Sequence, residues 1–199
     1  MQSVPPPPSL KVDPATGLLI GVRQVLSAHF DARPAGTVPE LIVVHGISLP
    51  PGEFGGPWID RLFTGALPPD AHPYFRDIAR GRVSAHALIR RDGQIVQYVP
   101  FGARAWHAGH SQYRGRSACN DFSIGIELEG ADDVPYSDPQ YEQLALVAKA
   151  LLATYPILSP THIVGHSDVA PGRKTDPGPG FDWNRFRQLM GRERRTRSQ

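Results

Sequence analysis

Two apolar runs end in histidine, LIVVH at 41–45 and THIVGH at 161–166. Both are short and rich in β-branched residues, which is the pattern of a strand rather than a helix. Each leads into a loop rich in Gly and Pro, 47–57 after the first and 167–180 after the second. Strands of one sheet that finish at a common end would deliver His45 and His166 to the same place, on a scaffold stiff enough to hold a metal or a reacting group. His162 and His166 also have the four-residue spacing of a helical metal motif, but Ile163, Val164 and Gly165 between them favour a strand, which leaves His162 outside the site.

The remaining periodicities supply the layers. Strands are expected at 18–25 and 122–127, with a hairpin formed by 83–89 and 94–99 around Asp92-Gly93. In FSIGIELEG, Ile124, Ile126 and Leu128 alternate with Ser123, Gly125, Glu127 and Glu129, so a carboxylate at 127 faces away from the apolar side. Residues 138–154 read as a helix with Ser137 and Gln140 spaced as a capping box, and Asp182 begins a final helix over 183–190. Strands followed by helices predict an α/β (α+β) domain with a central sheet. Its expected bounds are a Pro-rich N-terminal arm (1–16), one domain (17–190) and a basic C-terminal tail (191–199).

Composition narrows the function. The apolar runs fall short of the roughly 18 residues a spanning helix needs, so no membrane insertion is expected. The tail holds four Arg and one Glu, which leaves residues 1–190 with a net charge of −1 out of +2 overall. A near-neutral body lacks the basic stripe that tracks phosphates, so no nucleic-acid partner is expected. The single cysteine, Cys119, forms no internal disulfide. With neither an apolar leader nor a lipid-attachment Cys at the N-terminus, the cytoplasm is the expected compartment.

Asp176 lies ten residues after His166, within GRKTDPGP. Two imidazoles and one carboxylate would leave the fourth tetrahedral position on Zn²⁺ for water, the open arrangement of hydrolytic sites. The alternative is two satisfied strand-end histidines and a turn aspartate. Glu127 either deprotonates water or is a solvated carboxylate, and Lys174 either faces an oxyanion or is a solvated loop lysine. The loop 105–116, with Trp106 and His107, combines aromatic faces and donors suited to sugar rings and peptide amides.

The blocks LIVVHGISLPPGEFGGPWID, RVSAHALIRRDGQIVQYVPFGARAWHAG, CNDFSIGIELEG and GHSDVAPGRKTDPGPGFDW together resemble one family, the type 2 N-acetylmuramoyl-L-alanine amidases. The resemblance runs from about Gly17 to Met190. It implies a mixed central sheet flanked by helices, similar to peptidoglycan-recognition domains and T7-lysozyme-like amidases. It further implies zinc on His45, His166 and Asp176, with Glu127 and Lys174 as the catalytic pair. The implied substrates are muropeptides bearing 1,6-anhydro-N-acetylmuramic acid, cut at the amide to L-alanine during cell-wall recycling, with an influence on β-lactamase induction. No protein partner is implied. Arg82, Trp106, His107 and Gly46 match substrate-contact positions. Two of the family's common residues are replaced: Gly46 stands where Asn follows the first ligand histidine, and Ala118 where Arg precedes the Cys. A broad-specificity wall amidase and a noncatalytic peptidoglycan-binding module are the alternatives.

Overall fold

A computed structural model describes residues 10–191; the Pro5–Pro8 run and most of the basic tail lie outside the described residues. Ten strands are present among them: β1 (Arg23–Gln24), β2 (Phe30–Asp31), β3 (Leu41–Ile47), β4 (Ala87–Ile89), β5 (Ile95–Gln97), β6 (Arg104–Ala105), β7 (Gln112–Tyr113), β8 (Arg116–Ser117), β9 (Ser123–Glu129) and β10 (Ile163–Gly165). The helices are α1 (Trp58–Phe63), α2 (Phe75–Ile78), α3 (Asp138–Thr154), α4 (His166–Val169) and α5 (Trp183–Gly191).

Six strands form one sheet in the order β1-β5-β4-β9-β3-β10, parallel except for the β4–β5 hairpin. That hairpin turns at Gly93, whose φ of 88° lies in the left-handed region a Gly tolerates. The alternation in β9 divides the sheet faces as expected. Ile42, Val44, Ala87, Ile89, Ile124, Ile126 and Leu128 pack with α3 and α5 in one core. The opposite face carries two smaller clusters, one around Leu88, Val96, Phe63 and Phe75, the other around Leu41, Val43, Phe122 and Val169. His45 and Glu127 lie on that second face, as their pairing with the Leu88 row requires.

Helix α3 spans 138–154 as predicted, and its capping box is formed by Ser137 and Gln140. Asp182 accepts the Arg185 N–H at the start of α5. The expected 18–25 strand shrinks to β1, because Gly21 (φ 79°) turns the chain and buried Gln97 replaces a strand partner: its Oε1 accepts the Leu19 N–H at 2.6 Å. Order also begins before Gly17, since Val12 bridges to Leu19 and is buried. The 161–166 run is a strand only at 163–165. Asp168 caps the Gly165 N–H at 2.7 Å, so His166 opens α4 rather than ending β10. Helices α1 and α2 were not expected; both lie in the segment between β3 and β4.

Candidate metal centre and its cleft

Strand register brings the centre together. β3 and β9 pair with His45 opposite Glu127, so the two side chains stand next to each other on one face. β10 pairs with β3 through Gly165 and Val44, and the following residue, His166, arrives beside His45. Their Nδ1 atoms are 3.0 Å apart. The 170–180 loop folds back onto α4, where the Ser167 N–H donates to the Asp176 carbonyl at 3.0 Å. This places Asp176 Oδ2 3.1 Å from His166 Nδ1 and 3.2 Å from His45 Nδ1. From the adjacent loop, the Tyr136 hydroxyl donates to the Pro177 carbonyl at 3.0 Å.

These three residues form a group whose ligand atoms all lie within 4.8 Å of one another. His166 Nε2 is 3.3 Å from the Ala108 carbonyl, which only accepts, so the proton on Nε2 is the one this contact selects, and the Nδ1 lone pair is turned toward Asp176 and His45. Burial lowers the His45 pKa to about 4 against the favourable Asp176 contact, so the imidazole is neutral at pH 7. Burial works against the Asp176 carboxylate, but His166 and His45 outweigh it and hold its pKa below the ordinary range. Two imidazoles and one carboxylate directed at a common point are a donor set that suits a borderline cation such as zinc.

Around this point lies a cleft of about 660 Å³, lined among others by Gly46, Trp106, His107, Glu127, His166, Lys174 and Asp176. Glu127 is 8% exposed; burial and the nearby Asp176 charge raise its pKa well above the carboxylate range, with Lys174 opposing. Lys174 is exposed on the cleft rim. Trp106 forms one wall, its Nε1 donating to Asp31 at 3.2 Å, and Arg104 grips Asp31 through two hydrogen bonds. Arg82 does not line the cleft; its guanidinium stacks 5.0 Å from the Trp106 ring centroid. Ala118 lies outside the lining, at a left-handed φ of 61°. Gly46 faces Tyr136, whose hydroxyl a Cβ there would strike. His162 sits apart with Tyr113 and Arg114.

Other residues of the site were not anticipated. Asn120 Oδ1 accepts the N–H groups of both His107 and Ala108, which fixes the loop behind the two imidazoles. Arg33 donates to the carbonyls of Phe101, Asn120, Asp121 and Ser123. Neither belongs to a periodic pattern. Only the folded path of the loops shows what they hold.

A family model described as N-acetylmuramoyl-L-alanine amidase matches residues 34–179. The Escherichia coli (strain K12) 1,6-anhydro-N-acetylmuramyl-L-alanine amidase AmpD is 64% identical over 177 residues, covering 89% of this chain and 96% of that protein. A crystal structure of a selenomethionine AmpD derivative superposes with a TM-score of 0.85 at 64% identity, over 87% of this chain and 97% of that one. AmpDh3 from Pseudomonas aeruginosa, solved in complex with anhydromuramic pentapeptide, gives a TM-score of 0.57 at 30% identity, over 76% of this chain and 59% of that one.

Proposed function

Because the chain belongs to the N-acetylmuramoyl-L-alanine amidase family, we propose that it hydrolyses the amide joining the lactyl group of 1,6-anhydro-N-acetylmuramic acid to the L-alanine of muropeptides. The setting we assign is cytoplasmic recycling of cell-wall fragments, and the cofactor is zinc held by His45, His166 and Asp176. The observation that carries this reading is the convergence of His45 Nδ1, His166 Nδ1 and Asp176 Oδ2 in a cleft shared with buried Glu127. The names of the similar amidases supply the anhydro sugar. No helix among the described residues is long and apolar enough to cross a membrane.

When bound, the zinc ion would act as a Lewis acid on the scissile carbonyl and make water easier to deprotonate. Glu127 takes the proton of the attacking water and then delivers it to the alanine nitrogen as the C–N bond breaks. The Lys174 ammonium faces the oxyanion that develops on the carbonyl oxygen. The products are the lactyl carboxylate and a free amino terminus on the peptide. Trp106 presents an aromatic wall, held by Asp31, against which a sugar ring packs.

The experiment is zinc content and turnover of an anhydro-muropeptide by the full chain and by His166→Ala. The intact chain should hold one zinc and lose turnover on chelation, and His166→Ala should hold well below one zinc. Full zinc retention in His166→Ala contradicts the ligand assignment, and cleavage indifferent to chelator contradicts the metal chemistry.

A further inference from the structure

Behind the metal centre lies an imidazole that reaches neither of the other two ligands. The His107 ring sits between His45 and His86, edge-on to both, with centroids 5.0 and 5.8 Å away. Its Nδ1 is 2.9 Å from His45 Nε2, and its Nε2 is 3.1 Å from Ser123 Oγ. Asn120 accepts its main-chain N–H, which fixes the chain at this point.

The sheet itself makes room for the ring. Gly125 is in the middle of β9, where a residue without a side chain weakens a strand. Its backbone is not in the left-handed region, yet a Cβ there would run into the His107 ring. What position 125 needs is therefore space. The strand gives up a side chain at the centre of the sheet, and an imidazole fills the gap.

The donors and acceptors then close in one direction. If His45 turns Nδ1 toward His166 and Asp176, its proton is on Nε2 and the acceptor within reach is His107 Nδ1. Neutral His107 then carries its own proton on Nε2 and donates it to Ser123 Oγ. With both nitrogens engaged, His107 presents a wall to the cleft and no free donor. We propose that His107 is a positioning residue of the metal centre, holding His45 as the Nε2–H tautomer with Nδ1 free for the cation, and that Ser123 and the gap at Gly125 hold His107 in that pose. The proposal rests on the zinc reading above, and it parallels the way the Ala108 carbonyl fixes His166.

The test is zinc affinity, by chelator competition, of the wild-type chain, His107→Leu, His107→Asn and His166→Ala. His107→Leu fills the slot without an acceptor and should weaken zinc about 10–100-fold. His107→Asn puts an acceptor near the position of Nδ1 and should restore most of that loss. Unchanged affinity in His107→Leu, or equal losses in both variants, overturns the proposal while His166→Ala still loses its zinc. If His166→Ala keeps wild-type affinity, the metal reading fails and the proposal fails with it. One readout needs no variant: imidazole ¹⁵N spectra of the zinc-loaded wild type should show His107 protonated on Nε2, and a proton on Nδ1 overturns the assignment.

Discussion

Glu127 and Lys174 share a cleft but not an environment, since the carboxylate is buried beside Asp176 and the ammonium stands on the rim. Glu127→Gln keeps the shape and loses the base, so zinc content should hold while turnover falls by about 100-fold or more. Near-normal turnover with zinc bound would move the base to another residue. Lys174→Ala should lower kcat more than it raises KM, because an oxyanion partner acts on the transition state; a pure KM effect would make Lys174 a substrate anchor. His86 gives a pH signature of its own. Its Nδ1 accepts the Gly125 N–H, its Nε2 donates to the Ala103 carbonyl, and the Arg33 guanidinium lies 3.3 Å from that same Nε2. Burial first, and Arg33 second, bring its pKa down to about 3. The unfolded chain, with an ordinary value near 6.5, binds the proton first. The stability from neutral His86 is therefore present above about pH 6.5 and lost as the pH falls toward 3. Urea midpoints at pH 7 and pH 4.5 should show a steep fall for the wild type and a shallower one for His86→Asn; parallel falls would exclude His86 as the source.

At the scale of elements, the loop between β3 and α1 is strapped to the sheet through one buried carboxylate. Glu129, 2% exposed, accepts the Gly55 N–H at 2.7 Å and the Arg91 N–H at 3.2 Å and pairs with Arg90. Arg90 in turn donates to the Gly55 and Gly56 carbonyls and to Asp60. Removing Glu129 takes the acceptor from the Gly55 and Arg91 N–H groups while Arg90 keeps Asp60, so Glu129→Ala should cost about 1–3 kcal/mol in urea unfolding and expose this loop to protease; a change near zero would show that the strap contributes nothing to stability. The same elements show what the sequence made legible. Helix α3, its cap, the β4–β5 hairpin and the face of Glu127 followed from periodicity and turn chemistry, which are local. Helices α1 and α2 did not, because six and four residues are too short for a 3.6-residue period to stand out. The grouping of His45, His166 and Asp176 needed the parallel β10–β3 register and the fold-back at Ser167, both contacts between segments distant in sequence.

For the molecule as a whole, the candidate metal centre joins β3, the start of α4 and the 170–180 loop, segments that separate on unfolding. A zinc ion at 100 times its Kd would add about 2.7 kcal/mol to the native state, or roughly 5–10 °C in a chain of this size. Chelation should lower Tm by that amount; an unmoved Tm would mean that the ion does not bind the folded centre. The central claim is selective amide hydrolysis on the anhydro sugar. Its most direct test is mass-spectrometric product analysis after zinc-loaded protein meets equal amounts of an anhydro-muropeptide and its reducing-sugar counterpart, with and without chelator. Chelator-sensitive release of peptide from the anhydro form alone is the predicted result. Equal cleavage of both sugars would instead indicate a broad wall amidase, and binding without cleavage a recognition module; either would contradict the account.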